Sequence, residues 1–104
     1  MFKDIDVNEF KSMMQNGDSE LIDVRTPAEH DDARISNSEN INVMDPYFSS
    51  DIEDKDKAKT YLVYCKSGGR SRNAAMMMSN MGFEKVYNLE GGITEWINQG
   101  NDVE

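Results

Sequence analysis

Cys65-Lys66-Ser67-Gly68-Gly69-Arg70 holds most of the chemistry that this chain of 104 residues could perform. Cys65 is the only cysteine, and it directly follows the apolar run Thr60-Tyr61-Leu62-Val63-Tyr64. Helix-forming sequence resumes at Ser71. A strand, a thiol, a glycine-bearing loop and a helix in that order present a nucleophile to an anion. Amides of such a loop converge on one point, and the start of the next helix adds partial positive charge there. Arg70 adds a full charge on a rigid donor fork, and Lys66 is a cation beside the thiol. All of these favour thiolate over thiol, the reactive form. The pattern therefore predicts a Cys65 pKa below the ordinary thiol value.

The elements that must hold this loop follow from the patterning. Thr60 to Tyr64 is the most β-rich run, and Ser71 to Met81 reads as a helix stopped by Gly82. Upstream, Phe2 to Ile5 forms a short strand. Asp6 caps a helix that runs to about Met14 and closes at Gly17. Glu20-Leu21-Ile22-Asp23-Val24 is a buried strand, and Thr26-Pro27-Ala28-Glu29 is a capping box with proline at the first helical position. Asn40 to Val43 is a weaker strand, and residues 45 to 59 read as a surface loop followed by a helical turn. Lys85 to Leu89 is a further strand. Gly91-Gly92 then turns the chain into a last helix from Ile93 to about Gln99. Strands alternating with helices imply an α/β fold with a largely parallel sheet covered on both faces. In such sheets ligands sit at the carboxyl ends of strands, where Cys65 lies.

Composition narrows the function. One domain is expected over residues 1–104, with a thin core and no room for a second. Eleven basic residues against twenty acidic give a net charge of −9, which works against nucleic acid and anionic membranes as partners. Any anion site must then be local, and Lys66, Arg70 and Arg72 supply the positive patch. A single cysteine makes no internal disulfide, and one cysteine with one histidine builds no zinc or iron site, so neither metal nor cofactor is expected. No stretch has the length and apolarity of a signal peptide or a membrane span, so a cytoplasmic location is expected.

Taken together, these motifs resemble the single-domain rhodanese-like sulfurtransferases along nearly the whole chain. Leu21-Ile22-Asp23-Val24-Arg25 resembles the family's L-I-D-V-R segment, and Cys65 to Ser71 its active loop C-x-x-G-x-R-S. Asn73-Ala74-Ala75, Gly82-Phe83, Val86, Leu89, Gly91-Gly92 and Trp96 match the remainder, which ends in G-G-x-x-x-W. The chain departs from the family's G-H-I-P-G-A turn, reading Ala33-Arg34-Ile35-Ser36-Asn37-Ser38. The resemblance implies a three-layer fold with about five mostly parallel strands. It also implies transfer of sulfane sulfur from thiosulfate or a persulfide donor, through a Cys65 persulfide, to cyanide, a thiol or a protein acceptor. Lys66, Ser67, Gly68, Gly69, Arg70 and Ser71 would form the substrate loop, and a monomer is expected. Loop length separates this chemistry from that of the phosphatase relatives, whose C-x-x-x-x-x-R ring is one residue longer. The alternative is a non-catalytic rhodanese module that binds sulfane sulfur or a protein partner.

Asp23 and Arg25 sit at a strand's carboxyl end and are read as a supporting ion pair or helix contact. Ser71 is read as a helix cap or a ligand to the anion, and Gly68 and Gly69 as the residues that free the loop backbone. Glu29 enters only as a capping residue, and His30 as a surface residue at a helix end.

Overall fold

The computed structural model describes residues 1–104. Five parallel strands form one sheet in the order β1-β5-β4-β2-β3. They are β1 (Phe2–Ile5), β2 (Ser19–Asp23), β3 (Glu39–Asn40), β4 (Thr60–Tyr64) and β5 (Lys85–Leu89). The helices are α1 (Val7–Gln15), α2 (Pro27–Asp32), α3 (Phe48–Glu53), α4 (Gly69–Asn80) and α5 (Gly92–Asn98). The α/β architecture expected from the sequence is the one observed.

Side-chain alternation along the central strand β4 builds both cores. Tyr61, Val63 and Cys65 face α3 and α4, packing with Phe48, Ile52, Ala74 and Met78. Leu62 and Tyr64 face α1 and α5, packing with Val7, Phe10, Ile93 and Trp96. Leu62 is fully buried, and a side chain of that size contributes about 2 kcal/mol by leaving water. Because period two fixes the face, Cys65 at the strand's end is aimed toward the start of α4.

Several boundaries differ from the sequence reading, three of them near the thiol's strand and its neighbours. Helix α4 begins at Gly69, two residues before Ser71, so Gly69 and Arg70 are helical and Gly68 is the residue at its N-cap. The third strand spans only Glu39–Asn40, although the amides of Ile41 and Val43 still reach the carbonyls of Asp23 and Val24 at 2.9 and 3.0 Å. Strand β2 begins one residue earlier than read, at Ser19, and ends at Asp23. In the atypical turn, Asn37 adopts φ +68°, taking the place of the family pattern's second glycine. Asparagine enters the left-handed region more readily than other side chains, so that turn keeps its shape.

Candidate active site

Cys65 stands at the carboxyl end of β4 with 1% of its surface exposed. Its sulfur accepts hydrogen bonds from the Gly68 amide at 3.1 Å and the Ser71 hydroxyl at 3.3 Å. Gly68 has φ +108°, a left-handed conformation that suits glycine and turns the loop back on the thiol. Burial pushes the Cys65 thiol up. The Ser71 hydroxyl and the amides of Ser71, Gly68 and Ser67 outweigh it, so the net shift is downward. This agrees in direction with the sequence reading, but the donors responsible are amides and a hydroxyl. Gly69 has no left-handed φ and open space around its Cα, so the loop's conformational demand falls on Gly68 alone.

A second glycine turn fixes the loop from beneath. The Ile93 and Thr94 amides donate to the carbonyls of Cys65 and Lys66 at 2.9 and 3.1 Å. Gly92 has φ +62°, and a Cβ there would lie 2.4 Å from the Lys66 carbonyl oxygen and 2.6 Å from that of Cys65. Asn88, buried on β5, reaches the Gly68 carbonyl at 3.3 Å and Asp4 at 2.9 Å.

Arg70 departs most from expectation. Its Nη1 and Nη2 donate to Oε1 and Oε2 of Glu29 at 2.7 and 2.9 Å, a bidentate pair at the rim of the loop. Glu29 also accepts from the amide and hydroxyl of Thr26, both at 3.1 Å. Hydrogen bonding from Arg70, more than anything else, holds the Glu29 carboxyl down at about 2. The positive patch expected from Lys66, Arg70 and Arg72 shrinks accordingly. Arg72 pairs with Asp4 at 2.7 Å, and Lys66, which is exposed, makes no ion pair.

Asp23 and Arg25 form a buried ion pair, with Arg25 Nε and Nη2 donating at 2.9 and 2.7 Å. Burial pushes the Asp23 carboxyl up, but hydrogen bonds from Arg25 and His30 pull it below the ordinary value. Arg25 Nη2 also donates to the Ala33 carbonyl, and its guanidinium lies 5.5 Å over the Tyr64 ring. Neither residue hydrogen-bonds Cys65. His30 is half-buried rather than a surface residue, with Nδ1 2.9 Å from Asp23 Oδ2. The sequence reading missed the roles of Glu29 and Asn88. Glu29 carried one signal, as an acid in a capping box near a strand's carboxyl end; Asn88 carried none.

The match to the Rhodanese-like domain family covers residues 6–99. The chain belongs to the rhodanese family. This rhodanese-like domain is 32% identical over 95 residues to the thiosulfate sulfurtransferase GlpE of Vibrio cholerae, an alignment covering 91% of this chain and 88% of that protein. It is 35% identical over 105 residues to the tRNA uridine(34) hydroxylase of Cytophaga hutchinsonii, covering 96% of this chain but only 33% of the hydroxylase. Among solved structures, the rhodanese-related protein of Thermoplasma volcanium superposes with a TM-score of 0.79 at 30% identity, covering 98% of this chain and 97% of that one. No helix of the rhodanese-like domain is long and apolar enough to cross a membrane.

Proposed function

We propose that this rhodanese-like domain is a sulfurtransferase that carries sulfane sulfur on Cys65. The observation that supports it best is the sulfur's own coordination, by the Gly68 amide and the Ser71 hydroxyl, in a loop turned by Gly68. Donors aimed at sulfur stabilise a thiolate, and they serve equally for the anion of a persulfide. In the first step the Cys65 thiolate attacks the outer sulfur of thiosulfate. A sulfur–sulfur bond forms, the donor's own sulfur–sulfur bond breaks, and sulfite leaves with the electron pair. In the second step cyanide or a thiolate attacks the outer sulfur of the Cys65 persulfide and the Cys65 thiolate is released. This is covalent catalysis with ping-pong order.

No proton leaves carbon or water in either step, so the cycle needs no base. The domain's single histidine is engaged with Asp23 and makes no hydrogen bond to the thiol. Ser67, Gly68 and Ser71 would act through their donors, and Lys66 would attract the donor anion. Asp23 and Arg25 would hold the strand end from which the chain continues to α2.

The test is intact mass after incubation with thiosulfate and removal of the excess. A gain of one sulfur atom is expected, absent in Cys65→Ser and discharged by cyanide. A gain only with glutathione persulfide would change the donor and keep the cycle. No gain with either donor would sink the catalytic reading in favour of a binding module.

A further inference from the structure

We propose that Glu29 determines donor preference at this site by holding Arg70 away from incoming oxyanions. The inference rests on the reading of Cys65 as the sulfur acceptor. Each cation near the loop has been accounted for except one. Arg70 spends both terminal nitrogens on Glu29, Arg72 is tied to Asp4, and Arg25 is tied to Asp23. Lys66 alone remains free beside the thiol. Glu29 is itself fixed from the other side by two donors of Thr26, so the pair is braced within α2 and does not hang from α4 alone.

The consequence follows from charge. Arg70 lies in the first turn of α4 directly behind the loop, and a negative charge on Cys65 acts on its guanidinium. A thiosulfate dianion would gain most from that guanidinium, and it has to compete with a carboxylate already seated there in bidentate geometry. The same dianion also approaches against a net charge of −9. A hydropersulfide borne on an organic thiol presents no sulfonate oxygens at the reacting end. It needs only the loop amides and loses little to Glu29. The site as built therefore favours persulfides of organic thiols over sulfonate-bearing dianions, and Glu29 is the residue that makes it so.

Glu29→Gln keeps the shape and the acceptor toward Thr26 while removing the charge. Cys65 alkylation by iodoacetate and by iodoacetamide separates attraction of anions from thiol reactivity, because the reagents share a leaving group and differ in charge. The iodoacetate-to-iodoacetamide rate ratio is expected to rise about three- to tenfold in E29Q, with the iodoacetamide rate within about twofold of the parent. In an Arg70→Gln background the same substitution should leave the ratio nearly unchanged. Equal changes with both reagents would make Glu29 merely structural, and an undiminished gain without Arg70 would reduce it to one surface charge. Either result overturns the proposal.

In the transfer assay, the thiosulfate KM of E29Q should fall by a similar factor with kcat held, while the KM for glutathione persulfide stays within about twofold. Equal falls for both donors would also overturn the proposal. The alkylation experiment needs no sulfur transfer. Failure of the wild-type protein to form a persulfide would therefore sink the sulfurtransferase reading separately.

Discussion

Helix α2 is capped by Thr26, whose hydroxyl accepts the Glu29 amide at 3.3 Å while the Glu29 carboxylate accepts the Thr26 amide. Helix α4 has Gly68 at its N-cap, which has no side chain to offer. Both starts leave orphan amides that need acceptors. In α2 the local sequence supplies them and the end is closed. In α4 the acceptor is the Cys65 sulfur, three residues back, receiving the Gly68 amide. The Cys65 sulfur thus occupies the place of a helix cap. With no side-chain cap at Gly68, its amide is left to the thiol, which couples the thiol's ionisation to the start of the helix behind it. Glu29 belongs to both systems, closing α2 and holding Arg70 of α4.

The comparison breaks most severely at Gly92. Gly92→Ala places a Cβ against the carbonyls of Cys65 and Lys66 and forces a left-handed alanine, so we expect a loss of about 3 kcal/mol or more in denaturant unfolding. Any protein that still folds should show its Cys65 alkylation midpoint returned toward the ordinary thiol value; an unchanged midpoint would detach the second glycine turn from the site. Ser71→Ala tests the sulfur's cap more gently. Loss of one hydrogen bond to a charged acceptor should raise the alkylation midpoint by about one pH unit. Because the folded-state value is lowered, the thiolate stabilises the fold fully above the ordinary thiol pKa and loses that contribution as pH falls through the lowered value. Ser71→Ala should narrow that window, and urea melts across pH would show it. The smallest effect belongs to the closed end. Thr26→Ala should cost about 1 kcal/mol of stability while leaving the alkylation midpoint within a few tenths of a unit. A larger shift would mean that the two helix starts are not separable.

Much of this was legible along the chain, and the parts that were not share a cause. The bounds of β4 are legible because Thr60 to Tyr64 is an unbroken run of β-forming and apolar residues, and those of β5 because Val86, Tyr87 and Leu89 lie between Gly82 and the glycine pair Gly91-Gly92. The capping box of α2 was read from four consecutive residues. A glycine pair signals loop, so the sequence places the start of α4 at Ser71, whereas Gly69 takes helical geometry once Gly68 has made the turn. The partner of Arg70 lies 41 positions away. Nothing local to either residue announces the pair; it exists because β2 and β4 are neighbours in the sheet and bring their carboxyl ends together. The same holds for Asn88, placed under Gly68 by the pairing of β4 with β5. Short-range chemistry was visible in the sequence, while contacts made by strand order required the fold.

The depth of Cys65, at 1% exposure, sets a length scale for the proposed cycle. A sulfur–sulfur bond spans about 2 Å. Loading would therefore displace the reactive atom by roughly one bond from the buried Cys65 sulfur. In that cycle the unloaded thiol would be concealed and the loaded sulfur would stand nearer the surface. An acceptor would then sense occupancy by reach, and a reagent too wide to enter the loop would distinguish cargo from carrier.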